Sequence, residues 1–297
     1  MIFGPDDLPN WADSHAAVPL VSRIIGSSVE VLFSGRDQSN RSQVASFELD
    51  LLTLEINSDR GLAPLLSPGD LGEFDEDGAM ASCLVATESG CLLYYIGWNR
   101  AVSVPFRNSI GLAKQSDGGG FLRLFPGPIL DRTKTEPHFT ASSFVYRETE
   151  NLWRMWYLSG TRWSSETGGA RHHYNIKYAE SSDGVEWLRS GQVAIDFKDS
   201  GEYAIARPWV IREADKWVMW YSYRGESYKI GYAESIDGIE WERKDSQVEL
   251  EQSSSGWDSE MVEYPCVFDA LGSRWLLYNG NGYGRTGIGL AVLEDTA

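Results

Sequence analysis

Five times along this chain an apolar run ends in an aromatic residue. The runs are Val31-Leu-Phe33-Ser-Gly, Leu93-Tyr-Tyr95-Ile-Gly, Met155-Trp-Tyr157-Leu-Ser, Met219-Trp-Tyr221-Ser-Tyr and Leu276-Leu-Tyr278-Asn-Gly. Their aromatics stand 62, 62, 64 and 57 residues apart. A repeat of about 61 residues divides the 297-residue chain into five units and leaves no length for a second domain.

The units share one grammar. A short apolar run such as Ser143-Phe-Val-Tyr or Pro208-Trp-Val-Ile precedes the aromatic-ended run. A polar loop then leads to Ser109-Ile-Gly-Leu-Ala, Asn175-Ile-Lys-Tyr-Ala, Lys229-Ile-Gly-Tyr-Ala or Thr286-Gly-Ile-Gly-Leu-Ala. Two units close with Ser-Asp183-Gly-Val-Glu-Trp187 and Ile-Asp237-Gly-Ile-Glu-Trp241, where Asp-Gly suits a tight turn of positive φ. The alternation is of period two and no stretch sustains 3.6, so the runs read as strands. Four antiparallel strands repeated five times predict an all-β chain, a single five-bladed β-propeller. Its blades are expected near residues 14–60, 71–125, 136–190, 200–244 and 257–293. The fifth unit stops after three strands. Either the residues before Trp11 supply its outer strand, or it stays three-stranded.

Charge narrows the partners. Lys and Arg number 26 against 43 Asp and Glu, a net charge of −17. That disfavours nucleic acid and anionic membrane, which need a positive contact surface. No run approaches the ~18 apolar residues of a membrane helix. The start carries no basic and apolar signal pattern, so a cytoplasmic location is expected. Cys83, Cys91 and Cys266 form no C-x-x-C pair and read as reduced core thiols. Twelve Trp are unusual; Trp156, Trp187, Trp220 and Trp241 recur with the repeat and read as core. Trp98, Trp163, Tyr223 and Tyr283 fall in loops where they could stack on a sugar face.

Five units with an Asp-Gly-x-x-Trp turn resemble the glycosidase superfamily that includes glycoside hydrolase families 43, 32, 68 and 130. Trp98-Asn-Arg, Val104-Pro-Phe-Arg-Asn-Ser-Ile-Gly-Leu-Ala, Met155-Trp-Tyr-Leu-Ser-Gly-Thr-Arg-Trp163, Glu202-Tyr-Ala-Ile-Ala-Arg-Pro208 and Tyr278-Asn-Gly-Asn-Gly-Tyr-Gly-Arg-Thr-Gly287 are similar to a bacterial group of glycosidase-like five-bladed propellers. The resemblance implies a substrate at one mouth of a central channel lined by each blade's first strand. It also implies two carboxylates flanking the scissile bond, one as acid and one as base or nucleophile. The hydrolases place an Asp just before a Pro-x-Val of a first strand. Here those positions read Val18, Ala81 and Ala141, and the carboxylates lie several residues upstream.

The acidic residues near the first strands are Asp13, Asp75-Glu76-Asp77, Glu136, Glu202, Asp258, Glu260 and Glu263. An acid/base pair is expected from Asp75, Glu202 and Glu260; the competing reading makes them turn residues or partners of channel arginines. Arg36, Arg100, Arg162, Arg224 and Arg285 each follow a second strand by a few residues, so five guanidinium groups should gather near one mouth. Such forks suit carboxylate and phosphate, unless they serve only to brace the blades. His15, Trp98, Asn99, His138, Arg207, Tyr223 and Asn281 complete the expected substrate-binding set. His172-His173 is read as a solvated loop pair. No zinc-type histidine spacing, P-loop or nucleophilic triad occurs, so neither metal nor cofactor is implied. The reading is a carbohydrate-active propeller holding a sugar, or an anionic sugar derivative, and acting as a glycoside hydrolase or glycosyl-transferring enzyme. Its rivals are a non-catalytic sugar- or nucleotide-sugar-binding propeller and a protein-interaction propeller.

Overall fold

The computed structural model describes residues 1–293, and strands dominate them. The first antiparallel meander is β1 (Ser14–Ile25), β2 (Ser28–Arg36), β3 (Ser42–Asp50) and β4 (Ile56–Asn57). The second is β5 (Gly78–Thr87), β6 (Gly90–Arg100), β7 (Phe106–Gln115) and β8 (Phe121–Arg123). The third is β9 (Thr140–Thr149), β10 (Leu152–Glu166), β11 (Gly169–Ser181) and β12 (Val193–Ile195). The fourth is β13 (Ala204–Arg212), β14 (Trp217–Arg224), β15 (Tyr228–Ser235) and β16 (Glu242–Arg243). The last is β17 (Glu263–Ala270), β18 (Ser273–Asn279) and β19 (Ile288–Val292). Among the described residues no helix is long and apolar enough to cross a membrane.

Single parallel bridges, Ser42↔Gly78 and Tyr174↔Ala204, join the first meander to the second and the third to the fourth. The first strands also pack in sequence: β1 on β5, β5 on β9, β9 on β13, β13 on β17, and β17 back on β1. Two thiols repeat a contact along that series. Cys83 Sγ accepts the Val145 amide at 3.3 Å, and Cys266 Sγ accepts the Val21 amide at 3.4 Å. The Asp-Gly turns dock on the preceding unit. Tyr94 donates to the Gly184 carbonyl and Trp156 to the Gly238 carbonyl, both at 2.8 Å. Both glycines have a φ of 77°.

The Ile-Gly-x-Ala motif of the third strands has a steric cause. The rings of Tyr95, Tyr221 and Tyr278 lie over Gly111, Gly231 and Gly289, where an added Cβ would fall 2.2, 2.5 and 2.6 Å from ring atoms. The third unit has Lys177 at this step, and its ammonium reaches Glu136 at 2.9 Å. The N-terminus meets the last meander as a single antiparallel bridge, Phe3↔Ile288, not as a full strand. Phe3 is buried against Phe33 and Phe47, with ring centroids 4.9 and 4.3 Å away.

Candidate functional site

Every first strand slips its ladder at the same step. The slips fall between Ala17 and Leu20, Ala81 and Cys83, Ala141 and Ser143, Ala206 and Trp209, and Glu263 and Cys266. Bulges of this kind bend a strand and re-aim its side chains. Four residues at the slip take a left-handed backbone: Val18, Ser142, Arg207 and Tyr264, with φ of 56°, 35°, 52° and 57°. Backbone strain of this sort clusters at ligand sites. The backbone also corrects one expectation. The third-unit residue that shares the left-handed conformation of Val18 is Ser142, one position past the expected Ala141.

The slips surround a cavity of about 520 Å³. Val18, Met80, Ala141, Ser142, Ala206 and Tyr264 line it, so all five first strands reach it. Arg36, Trp98, Arg100, Phe106, Asn108, His172, Tyr174 and Tyr283 form much of the remaining wall. None of its lining residues is Asp or Glu. A smaller hollow of about 340 Å³, lined by Pro68, Asp70, Glu73, Arg123 and Phe125, is reached by no first strand.

The acidic side chains are mostly engaged elsewhere. Asp75 is fully buried; its Oδ2 accepts from Tyr95 at 3.0 Å and Arg123 at 2.7 Å. Asp77 is clamped by Arg100 at 2.6 Å. Glu136 accepts from Tyr157 and Ser159, both at 3.0 Å, and faces Lys177 and Arg189, both at 2.9 Å. Burial works against its charge, but Lys177, Ser159 and Tyr157 outweigh it and hold the carboxyl below its usual range. Glu202 takes a bidentate grip from Arg243 at 2.6 and 2.9 Å. Glu260 is exposed, and its backbone amide donates to Asn281. Asp75, Glu202 and Glu260 are thus not brought to a common wall.

Glu263 is the exception, although the sequence expectation falls on Glu260 instead. It sits just before the slip of β17, fully buried, and neither carboxyl oxygen has a partner. Tyr174, Tyr228, Tyr264 and Tyr283 all feel its charge. Burial raises its acid strongly, and Arg224 only partly opposes that. Burial without a hydrogen-bond partner favours the neutral form of a carboxyl.

The cations divide into two groups. Arg41 and Arg100 pair with Asp37 and Asp77. Arg36 hydrogen-bonds Asn40 at 3.0 Å, and Arg224 hydrogen-bonds Tyr283 at 2.6 Å; among the described residues neither meets a carboxylate. Arg285 lies near enough to Arg36 and His15 for its charge to act on both. His15 is buried, and burial together with Arg36 and Arg285 lowers its pKa to about 4. His172 is not a solvated loop residue. It stacks on Tyr174 with centroids 4.9 Å apart, and burial followed by Arg224 lowers its pKa to about 4. His173 is buried beside it and hydrogen-bonds Ser164.

Of the expected binding residues, Arg36, Trp98 and Arg100 line the cavity. His15, Arg224 and Arg285 stand close behind lining residues. Arg207 is buried below, donating to the carbonyls of Ser82 at 2.5 Å and Pro19 at 3.0 Å, so it ties three first strands together. Arg162 is exposed opposite His173. Asn99 pairs with Arg107 in the β6–β7 ladder, His138 packs by Gly160, and Tyr223 lies under Arg243. Asn281 braces the 256–261 loop through Gly256, Glu260 and Met261. Tyr174, Tyr264, Phe106 and Asn108 line the cavity although no motif marks them as ligand contacts. Tyr264 stands at the slip of β17, while Phe106, Asn108 and Tyr174 lie in the first halves of the third strands β7 and β11. Among the described residues no three of His, Cys, Asp and Glu converge to hold a metal ion.

No protein-family model matches the chain. Among solved structures, BT0996 in a complex with RGII superposes with a TM-score of 0.76 at 19% identity, covering 100% of this chain and 92% of that protein. A thermostable family-43 glycoside hydrolase gives 0.71 at 16% identity, over 99% and 94%. A Bombyx mori family-32 beta-fructofuranosidase in complex with sucrose gives 0.68 at 13% identity, over 99% of this chain and 64% of that one. These likenesses are of fold. The uncharacterized protein Rv1502 of Mycobacterium tuberculosis is 40% identical over 294 residues, which is 99% of this chain and 97% of that protein. A second strain's protein, MT1551, matches to the same extent. The chain therefore belongs to the family of the mycobacterial protein Rv1502, and its fold is that of the β-propeller glycoside hydrolases.

Proposed function

We propose that this chain is a five-bladed β-propeller that holds a sugar or sugar derivative in its central cavity. The observation that carries the reading is the convergence of all five first strands on one cavity walled by Trp98, Phe106, Tyr174, Tyr264 and Tyr283. Aromatic faces beside a few polar groups suit a sugar ring, with its apolar faces and polar rim. The neighbours of this fold are glycoside hydrolases, one of them in complex with sucrose.

Binding without cleavage is the form we favour. Hydrolysis by two carboxylates needs them about 5 to 9.5 Å apart across the bond. The cavity wall holds no Asp or Glu, and Asp75 and Glu202 are held by arginines. One observation favours the second form, an enzyme. Glu263 is a buried acid without a partner, placed behind Tyr264, and it would serve as the proton donor in glycosyl transfer.

The test is tryptophan fluorescence titration with a panel of sugars and nucleotide sugars, run beside turnover of the matching aryl glycosides. Binding without turnover supports the first form. Turnover that Glu263→Gln abolishes supports the second. Turnover that survives in Glu263→Gln but is lost in Glu260→Gln, Asp75→Asn or Glu202→Gln restores the loop carboxylates as catalysts. If no panel member binds or reacts, the sugar reading fails.

A further inference from the structure

We propose that the cavity edge between β1, β2 and the turn after β18 is an anion subsite, made by Arg36, Arg285 and His15, which takes a carboxylate or phosphate carried on the sugar. It rests on the sugar reading for the rest of the ligand, but not for the anion.

The argument begins with charge left unbalanced. This chain has 43 acidic residues against 26 basic ones, so carboxylates are in surplus. The arginines beyond the first and second units' ladders show the surplus in use: Arg41 takes Asp37 at 2.9 Å and Arg100 takes Asp77 at 2.6 Å. Arg36 stands among them, faces the cavity, and is given only the neutral Asn40 side chain at 3.0 Å. Arg285 stands on the turn whose Gly284 packs against Ala16 and Ala17 of β1, and its like charge acts on Arg36. A half-buried guanidinium held next to another, without a carboxylate, is unfavourable unless something anionic arrives. A carboxylate or phosphate satisfies both forks at once.

His15 adds a neutral donor or acceptor. Its Nδ1 meets Ser14 Oγ at 2.8 Å, and its ring lies within the field of both arginines. The turn after β18 brings in another cation: Tyr283, two residues before Arg285, is hydrogen-bonded by Arg224 at 2.6 Å, and the buried Nε of Arg224 has no partner. Trp98, over which Arg36 lies at 6.0 Å, offers the ring a stacking face next to the anion. A neutral sugar would leave this group of cations as unbalanced as it is without ligand.

Isothermal titration with glucose, glucuronic acid, glucose 1-phosphate and inorganic phosphate tests the proposal, on the wild type, Arg36→Gln and Arg285→Gln. Arg285 is exposed, so its variant does not depend on refolding a core. At least one charged hexose is expected to bind ten-fold or more tighter than glucose. That advantage should fall about ten-fold in each variant, and weaken as salt rises from about 0.05 to about 0.5 M. The better of the two charged hexoses distinguishes a carboxylate from a phosphate ligand. Glucose binding as tightly as both charged hexoses, or charged hexoses binding both variants unchanged, overturns the subsite and leaves the sugar reading intact. Phosphate binding that the variants lose, with no hexose bound, supports the subsite and removes the sugar. Failure of all four to bind the wild type overturns the subsite.

Discussion

The Tyr95 hydroxyl donates to Asp75 Oδ2 at 3.0 Å, and three other units repeat the bond. Tyr157 donates to Glu136 at 3.0 Å, Tyr221 to Asp245 at 2.5 Å, and Tyr278 to Asp258 at 3.2 Å. The repeated tyrosine is therefore more than an aromatic filler. Its ring lies over the third strand and its hydroxyl fixes an acidic loop residue, which in three units a cation also holds. Phe33 occupies the same step in the first unit and has no hydroxyl to place. The acidic residues caught in these pairs serve the scaffold.

Asp75→Asn should accordingly lower stability. The substitution removes the anion from Arg123, whose side chain is 21% exposed, and weakens the acceptor for a buried tyrosine. Breaking a buried pair on one side costs about 3 kcal/mol. Urea unfolding measures it. Tyr95→Phe leaves the ion pair and should cost about 1 kcal/mol. A stability equal to wild type in Asp75→Asn would remove the bracing role.

Glu263 makes stability depend on pH on the alkaline side. Its folded pKa is raised, so the folded state keeps a proton that the unfolded chain releases above its ordinary carboxyl pKa. Stability is then full below about pH 4 and falls as pH rises toward the folded pKa. Glu263→Gln keeps the shape and removes the titration. The variant should be more stable than wild type at pH 8 and indistinguishable at pH 4, by thermal unfolding across that range. A parallel decline in both proteins would sink the idea.

Much of the scaffold was legible in the sequence because it repeats. The aromatic-ended runs, the Gly111, Gly231 and Gly289 steps and the Asp-Gly turns are local patterns, each with a local steric cause. The cavity was less legible because its geometry comes from slips in the ladder. Glu260 and Glu263 are three residues apart, yet one is in an exposed loop and the other is fully buried at the start of β17. Nothing in their composition separates them. The tyrosine partners of Asp75 and Glu136 lie 20 and 21 residues away and their arginine partners 48 and 53, with no motif between, so their engagement could not be read either. His172 reads as solvated because it neighbours a polar loop; a β11 longer than expected carries it into the wall.

The two low-pKa histidines act on the acid side. His15 and His172 have folded pKa values of about 4, below the ordinary 6.5, because burial and neighbouring arginines oppose the charged form. Their contribution is present above pH 6.5 and is lost as pH falls toward 4. Each adds a slope of at most about 1.4 kcal/mol per pH unit in that window. His15→Asn and His172→Asn should each flatten the decline of stability between about pH 6.5 and about pH 4. NMR titration of the two rings gives an independent reading, and midpoints near the ordinary 6.5 would contradict the burial argument.

Phe3 ties the last unit to the first. Its ring is buried between Phe33 and Phe47, while its carbonyl accepts the Ile288 amide at 2.8 Å and the Ile2 amide donates to the Ile288 carbonyl at 2.8 Å. Asn279 makes the second tie, accepting the Val18 amide at 2.8 Å and donating to the Ala16 carbonyl at 2.7 Å. One tie is apolar and the other polar, so they should fail differently. Phe3→Ala opens a cavity in the aromatic cluster and should cost about 3 kcal/mol or more, with Phe3→Leu costing far less. Asn279→Ala leaves a buried amide without an acceptor and should cost about 2 kcal/mol. In Phe3→Ala, amide exchange should accelerate first at Ile288 and its β19 neighbours, before β9 or β13 is affected. Uniform acceleration through all five units would mean that the N-terminus stabilises the whole assembly of units and does not latch one edge of it.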